Sequence, residues 1–310
     1  MHGAGQGNTL GRDSGDEDQQ IRRMKLGKTS YFIKIDSQAA ESGRLAGKRM
    51  AVLTDFHNRD HEAVLDILRN DIPDAIMIPG DLVLGYFPEG EEYIIDRCPN
   101  IISLLEGCCE IAPTYMSVGN HECLLCSDDF DRLRATGVVV LNNEWTEHSD
   151  GILIGGLTSD YAISYNRFRD EYNRQNGTKE YVRYPYRKKQ KFVSDYPTDS
   201  KWLEDFEQAD GYRILLCHHP EYWSLRDPML KDRKIDLVLS GHAHGGQWRF
   251  MGRGIIAPGQ GWFPKYTSGV HQGPYGRMII SRGLSNPYRS VPRLGNPCEV
   301  VYVQFVSREK

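Results

Sequence analysis

The sequence predicts a layered α/β fold in which two β-sheets pack against each other. Short apolar, β-branched runs recur along the 310 residues, which is typical of buried strands. Segments with helical spacing separate several of these runs in the first half of the chain. The second half, from Ile214 onward, is rich in strand-like runs and predicts a second sheet packed on the first.

The predicted elements follow from apolar spacing. The predicted strands are Met50–Thr54, Ala75–Pro79, Thr114–Val118, Val138–Leu141, Ile152–Ile154, Arg213–Cys217, Asp236–Ser240, Gly254–Ala257, Arg277–Ser281 and Val300–Phe305. Three further segments carry apolar residues on one helical face, and a glycine follows the second and third of them. These predicted helices are His61–Asn70, Asp128–Thr136 and Ser200–Ala209.

Composition restricts the class of protein. The chain is 39% hydrophobic and 10% aromatic, which supplies enough apolar surface for an ordered core. Its formal net charge of −4 gives no overall attraction to nucleic acid or acidic membranes, so bound cations or a local patch must hold any anionic partner. No apolar run approaches the roughly 18 residues of a membrane span. We expect a cytoplasmic protein with a disordered tail over residues 1–25 and a single domain over residues 26–310.

The seven cysteines favour reduced thiols, because their number is odd and no export signal precedes them. Cys123 and Cys126 have the spacing of a zinc or redox pair. A structural zinc site needs four ligands, however, and no second pair with this spacing exists. The alternative is a loop before a helix that carries buried or half-buried thiols.

The segment from Tyr161 to Phe192 differs from the rest of the chain. It is dense in Tyr, Arg and Lys and poor in aliphatic residues, which excludes a set of core strands. It predicts an insertion between a strand and the helix near residue 200. One interpretation is a solvated surface loop. The other is an aromatic and cationic interface to anionic lipid or nucleotide.

Five polar motifs come directly after apolar runs. They are Asp55-Phe56-His57, Gly80-Asp81, Gly119-Asn120-His121-Glu122, His218-His219-Pro220 and Gly241-His242-Ala243-His244. Taken singly, each is explained by a helix cap, a turn or a hydrogen-bonded loop residue. Ligand sites in α/β proteins gather at the carboxyl ends of strands, so together the motifs predict one shared site.

The donor atoms of these motifs indicate a metal centre. Imidazole and oxygen ligands without thiolate favour borderline divalent ions such as Mn, Fe, Zn, Co or Ni. The Asp-x-His and His-x-His spacings have a period of two, which on an extended chain directs both side chains to one side. The number of ligand-type side chains exceeds what one tetrahedral ion needs, and suits two adjacent ions bridged by a carboxylate.

In their order, the five motifs resemble those of the calcineurin-like metallophosphoesterase family: D-x-H, G-D, G-N-H-[DE], a later His and G-H-x-H. The resemblance spans residues 45 to 305 and implies a layered αββα sandwich of two mixed β-sheets flanked by helices. The His-x-Pro at 218–220, the GHAHGGQ loop, Pro264-Lys265-Tyr266 and the tail from Ser281 to Glu299 resemble one bacterial branch. That branch includes enzymes that hydrolyse UDP-diacylglucosamine and is often membrane-associated.

Carried over position by position, the resemblance implies two divalent ions, with Mn, Fe or Zn expected. One ion would be held by Asp55, His57 and His244 and the other by Asn120, His218 and His242, with Asp81 bridging them. His121 would face the phosphate as a general acid, with Glu122 as its orienting carboxylate. Asp81 and Asn120 would also take part in catalysis. The resemblance assigns no role to His219.

The expected reaction is hydrolysis of a phosphodiester or diphosphate by a hydroxide that bridges the two ions. The expected partner is a phosphorylated small-molecule or lipid-linked substrate, and peripheral contact with the inner face of a membrane would follow the branch. A nuclease on the same scaffold is an alternative, against which the acidic charge balance counts. A metal-binding scaffold without catalysis is another, against which the complete ligand set counts. The sequence predicts no oligomeric state.

Overall fold

The computed structural model describes residues 26–35, 45–84, 94–149, 151–161, 174–175, 177, 199–286 and 291–307. The predicted tail over residues 1–25 and nearly all of the 161–192 segment lie outside the described residues. In the described part, two six-stranded mixed sheets lie face to face, and helices cover their outer faces. This arrangement is the layered αββα sandwich of two mixed β-sheets that the resemblance implies.

The first sheet holds the first and last described strands side by side. Its strands are β1 (Leu26–Ile35), β2 (Arg49–Val52), β3 (Ala75–Ile78), β4 (Thr114–Ser117), β5 (Val139–Leu141) and β16 (Cys298–Ser307). Their spatial order is β1-β16-β2-β3-β4-β5. Strands β2 to β5 are parallel, whereas β16 is antiparallel to β2 and parallel to β1.

The second sheet has parallel strands at its centre and an antiparallel strand at each edge. Its strands are β6 (Glu144–Ser149), β7 (Ile152–Leu157), β8 (Tyr212–Cys217), β9 (Leu237–Ser240), β14 (Gly269–Gln272) and β15 (Arg277–Ile280). Their order is β14-β15-β9-β8-β7-β6. Two short hairpins lie between β9 and β14. They are β10 (Arg249–Phe250) with β11 (Arg253–Gly254), and β12 (Ile256–Ala257) with β13 (Gly261–Trp262).

Three layers of apolar side chains join these elements. Met77, Ile154 and Leu239 belong to the layer between the two sheets. Helices α1 (Glu62–Asn70), α2 (Pro99–Ile111) and α3 (Ser127–Ala135) cover the first sheet, and α4 (Trp202–Gln208) covers the second. Full burial of a Leu, Val or Phe side chain contributes roughly 1.5–3 kcal/mol, so these layers fix the sheets against each other. No helix in the described ranges has the length and apolarity needed to cross a bilayer.

Two predictions about the strands are wrong. The second sheet already includes β6 and β7, which precede Ile214. The last strand, β16, belongs to the first sheet, where alternate side chains of β16 are buried on both of its faces. The predicted strand Gly254–Ala257 is split between two hairpins. The Ile255 N–H donates to the Trp248 carbonyl at 2.8 Å, outside either hairpin ladder.

Candidate metal centre

The eight predicted site residues converge at one edge of the two sheets. Asp55 and His57 follow β2, Asp81 follows β3, Asn120 and His121 follow β4, His218 follows β8, and His242 and His244 follow β9. All five strands present their carboxyl ends here, because β2 to β4 are parallel in one sheet and β8 and β9 in the other. The convergence is the one that the positions of the motifs predict.

Three overlapping groups of ligand atoms make up the centre. The first is Asp55, His57 and His244, the second is His57, Asp81 and His121, and the third is Asp81, His218 and His242. Within each group the ligand atoms lie within 4.8 Å of one another. The first and third groups correspond to the two ions that the resemblance implies. The second group links them, because it shares His57 with the first and Asp81 with the third. The assignment of ligands to individual ions stays a prediction.

The ligands reach the centre by a different backbone route from the predicted one. An extended chain was expected to direct both residues of each Asp-x-His or His-x-His pair to one side. Instead Asp55, His57, His242 and His244 are left-handed, with φ of 54°, 46°, 63° and 46°, and Asp81 has φ of 59°. Such conformations cost of order 1–3 kcal/mol each in a non-glycine residue, and they cluster at functional sites. The extended-chain explanation is therefore wrong, although the predicted convergence is observed.

Two glycines let backbone approach the carboxylates closely. A Cβ atom on Gly119 would lie 2.4 Å from Asp81 Oδ1, and one on Gly241 would lie 2.6 Å from Asp55 Oδ2. Both distances are shorter than any van der Waals contact, so a larger residue would displace the candidate ligands. The glycines of these motifs are thus required by packing at the site.

Glu122 binds the backbone of the Asp81 loop instead of orienting the His121 ring. Its buried carboxylate accepts hydrogen bonds from the backbone N–H groups of Asp81 and Gly119 at 2.9 and 2.8 Å, and from that of Leu82 at 2.7 Å. Asp81 in turn accepts from the His121 backbone N–H at 2.9 Å. The prediction that Glu122 orients the His121 ring is wrong, because its oxygens face the backbone of two strand ends.

Several ligand atoms fit bound cations. Asp55 Oδ2, His57 Nε2 and Asn120 Oδ1 are buried and have no hydrogen-bond partner among the described residues. The Nδ1 atoms of His57 and His218 each lie 2.9 Å from a backbone carbonyl, of Val83 and Pro79 respectively. A carbonyl can only accept, so Nδ1 carries a proton in both rings. Nε2 of His57 therefore presents its lone pair to the centre, and Nε2 of His218 can do so once its own proton is lost. Buried polar atoms without partners are costly, and divalent cations would satisfy them.

The charges at the centre also suit cations. Burial lowers the pKa of His57 to about 3, so its imidazole is neutral at pH 7. Burial would lower the pKa of His218 too, but the Asp81 carboxylate, 2.9 Å from its Nε2, raises it to about 9. Burial opposes ionisation of Asp81, yet His218 and His121 hold its pKa well below the usual range. A cation bound by Asp81 and His218 would replace the proton of this buried ion pair.

His244 differs from the other candidate ligands. Its Nε2 lies 3.5 Å from Asp55 Oδ1, and its Nδ1 lies 3.1 Å from Nη2 of Arg293. A guanidinium only donates, so in this arrangement Nδ1 accepts and the neutral ring carries its proton on Nε2. Coordination through Nε2 requires the opposite tautomer and a different contact for Arg293. Arg293 also donates to the Arg282 and Ser285 carbonyls, which joins the C-terminal tail to the centre.

His121 lies on the open side of the centre. Its side chain is 27% exposed, whereas that of His218 is fully buried. Its Nε2 lies 3.8 Å from Asp81 Oδ2, and its ring centroid lies 4.6 Å from that of His57. The position allows contact with both a bound anion and the ligands.

The cysteine pair does not contribute to the centre. No metal-capable group within the described ranges contains a cysteine, and none of the seven cysteines forms a disulfide. Cys126 precedes α3, and its thiol lies 3.4 Å from Asp129 Oδ2. These contacts favour the alternative of half-buried thiols before a helix. The sequence did not identify Glu122 as the support of the Asp81 loop or Arg293 as a contact of His244. The only signals were the place of Glu122 after His121 and the place of Arg293 in the tail from Ser281 to Glu299.

Comparisons with known proteins agree with this geometry. The family model described as calcineurin-like phosphoesterase matches residues 48–246. An uncharacterized metallophosphoesterase of Aquifex aeolicus is 25% identical over 292 residues, covering 88% of this chain and 92% of the relative. The uncharacterized protein YpbG of Bacillus subtilis is 22% identical over 203 residues, covering 64% of this chain and 61% of the relative.

Among solved structures, a dimetal phosphatase from Danio rerio superposes with a TM-score of 0.45 at 12% identity, covering 78% of this chain and 90% of that one. The family model spans more than half of the chain and includes every candidate ligand. The chain therefore belongs to the calcineurin-like phosphoesterase family, whose members are metal-dependent hydrolases of phosphoesters.

Proposed function

We propose that this chain hydrolyses a phosphodiester or diphosphate with two divalent cations, and that its substrate is a lipid-linked diphosphate. The observation that carries the two-metal part is a pair of ligand groups, around Asp55 and around Asp81, that a third group connects through His57 and Asp81. Buried ligand atoms without a partner among the described residues lie in the same place. Two adjacent ligand groups are what a two-ion hydrolase needs to hold both of its cations.

Bound there, two cations would activate a water molecule and offset charge on the phosphoryl oxygens. The chain's own residues have separate tasks. Asp81, fixed by its bond from the His121 backbone and by Glu122, would hold the ligand groups in register. Asn120 would bind through Oδ1 and donate from its amide nitrogen to a phosphoryl oxygen. His121, on the open side, would donate a proton to the leaving oxygen.

Retention of His121 argues against a scaffold without catalysis. The buried ligand atoms without a partner among the described residues need a cation, which a metal-binding scaffold would supply as well, so His121 is what separates the two roles. A protein with only a structural role has no need of His121, which extends from the ligand groups toward solvent. A catalytic role accounts for both features.

The lipid-linked part of the proposal rests on an exposed apolar surface beside the centre. We call it the hairpin patch; it consists of Phe250, Met251, Trp262 and Phe263, which are 69%, 87%, 62% and 79% exposed. The hairpins pack on the loop of His244: the Ile255 N–H donates to the Gly246 carbonyl at 3.1 Å, and the Phe263 N–H donates to the Ile255 carbonyl at 2.8 Å. Exposed apolar clusters mark interaction surfaces, and Trp and Phe suit the membrane interface.

Metal removal tests the catalytic part. Protein dialysed against a chelator should lose hydrolysis of bis-nitrophenyl phosphate and recover it with Mn²⁺, because the ligand atoms alone offer no activated nucleophile. A panel of monoester, diester, nucleotide-diphosphate and lipid-diphosphate substrates measured under the same conditions would identify the substrate class. Full turnover in excess chelator would contradict the two-metal mechanism.

The double variant Trp262→Ser/Phe263→Ser tests the lipid part. Full burial of a large apolar side chain contributes roughly 1.5–3 kcal/mol, so partial insertion of two aromatic rings predicts at least about tenfold weaker binding to phospholipid vesicles. We expect the KM for a lipid-linked diphosphate to rise by a similar factor. Turnover of bis-nitrophenyl phosphate should stay unchanged, because the substitutions leave the ligands in place.

Phe32→Ser is the matched control. Phe32 is 63% exposed on β1 and lies outside the hairpin patch. The Phe32→Ser substitution should change neither the binding to phospholipid vesicles nor the KM for the lipid-linked diphosphate. If the double variant behaves like this control, the hairpin patch does not bind lipid, and the two-metal assignment is unaffected.

A further inference from the structure

Glu221 is a buried carboxylate that the proposed mechanism does not use. It lies in a short 3₁₀ helix, Pro220–Trp223, that comes directly after His218 and His219. Only 1% of its surface is exposed. Neither carboxylate oxygen has a hydrogen-bond partner among the described residues. An ionised carboxylate in such surroundings is strongly unfavourable, unless a cation or proton donor accompanies it.

The side chains that face Glu221 are imidazoles. Its Oε2 lies 3.7 Å from His219 Nδ1, and the His219 ring centroid lies 4.3 Å from that of His242. The ligand atoms of these three residues lie within 4.8 Å of one another. The nearby guanidinium of Arg226 is paired with Asp160 instead. The side chains grouped with the Glu221 carboxylate are therefore two imidazoles, which bind metal ions well.

His219 is held with one nitrogen toward Glu221. Its Nε2 lies 2.7 Å from Ser159 Oγ, which also accepts from the Tyr161 backbone N–H at 3.2 Å. When Nε2–H donates to that oxygen, Nδ1 presents a lone pair on the side of Glu221. Metal-binding imidazoles have this arrangement, with one nitrogen fixed by an outer partner and the other on the ion.

A glycine lies against the Glu221 carboxylate. Gly259 is exposed and has φ of 70°. A Cβ atom there would lie 3.1 Å from Glu221 Oε1. Any larger residue at this position would therefore crowd a carboxylate oxygen of the candidate site.

We propose that Glu221, His219 and His242 hold a third divalent cation beside the two-ion centre. Two imidazoles and a carboxylate favour a borderline ion such as Zn²⁺, Mn²⁺ or Fe²⁺. His242 belongs both to this group and to the Asp81 group, so it would bind one ion through each ring nitrogen. Binding through both nitrogens requires loss of the remaining ring proton to solvent, and His242 would then bridge the two ions as an imidazolate. The site does not depend on the identity of the substrate.

Metal stoichiometry tests this site directly. Metal-free protein equilibrated with Mn²⁺ or Zn²⁺ and then analysed by native mass spectrometry should bind three ions per chain. Glu221→Gln should bind two, because an uncharged amide is a poor ligand for these ions. Glu207→Gln is the matched control and should bind three, since Glu207 on α4 is already paired with Arg233 at 2.6 Å.

Two results would overturn the third site: only two ions on the unmodified chain, or three ions on Glu221→Gln. The first would mean that Glu221 merely accepts a proton from a neighbouring imidazole. Should Glu221→Gln fail to fold, anomalous scattering from Mn²⁺-grown crystals of the unmodified chain decides the question. A peak between Glu221 and His219 is expected, and its absence with the other two ions present would refute the proposal. Failure of the two-ion centre would instead remove the peaks around Asp81.

Discussion

Asp81→Ala is expected to reduce phosphoester hydrolysis by about 10³-fold or more, which corresponds to roughly 4 kcal/mol of transition-state stabilisation. Asp81 is the one carboxylate shared by two groups of ligand atoms, and its Oδ2 lies near both His218 and His121. If Asp81 bridges two cations as proposed, its removal deletes that bridge, and it also removes the acceptor of the His121 backbone N–H. Metal content should fall together with activity.

The chain should remain folded in this variant. In the metal-free site, burial lowers the pKa of His218 but Asp81 raises it to about 9, so without Asp81 the imidazole becomes neutral and buries no uncompensated charge. Asp74→Ala is the matched control: Asp74 pairs with the exposed Lys48 at 2.7 Å. Such a surface pair contributes about 0–1 kcal/mol, and hydrolysis should be unchanged. Full activity in Asp81→Ala, measured with a folded protein, would eliminate the two-metal mechanism.

The position of the centre could be predicted because it depends on local signals. Each buried strand has a short apolar run that ends at a glycine or polar residue, and parallel strands share the edge at which they end. The motifs after β2, β3, β4, β8 and β9 therefore had to meet if the strands were parallel. That inference needed only the order of motifs and the identity of their side chains.

The backbone of the ligands could not be predicted in the same way. Asp55 and His244 are left-handed because the surrounding contacts compensate for the strain, and those contacts come from distant segments. The His242 N–H donates to Asp55 Oδ1 at 3.1 Å, and Ser285 Oγ donates to the Asp55 carbonyl at 2.8 Å. Neither partner is near Asp55 in sequence, so local spacing suggested an extended chain instead.

Local sequence patterns also could not predict the pairing between strands that are distant in sequence. β1 lies at a sheet edge, has no regular alternation of polar and apolar residues, and only Ile33 of its described side chains is buried. The paired residues of β1 and β16 are 272 positions apart in sequence, and all ten residues of β16 pair with β1. Helix α2 was missed for a different reason: its apolar residues are nearly continuous, and the amphipathic spacing that marks a surface helix is weak.

His121→Ala should reduce hydrolysis by an amount that depends on the leaving group. General acids contribute about 10²–10⁴-fold, or roughly 3–5 kcal/mol, when the leaving oxygen must be protonated. An alkyl ester needs that proton, whereas nitrophenolate leaves readily without it. We therefore expect a loss of at least about 10²-fold on an alkyl phosphodiester and less than about tenfold on a nitrophenyl diester.

The position of His121 makes the comparison informative. Its backbone N–H anchors Asp81, and this bond survives in His121→Ala, so the ligand groups should stay in place. His148→Ala is the control. His148 lies on β6, the edge strand of the second sheet, and contacts the Tyr115 hydroxyl of β4, so its loss should not alter the dependence on leaving group. Equal losses of His121→Ala activity on both esters, with unchanged metal content, would show that His121 stabilises charge rather than donating a proton. Equal losses with reduced metal content would make it a ligand, as its 3.8 Å approach to Asp81 Oδ2 allows.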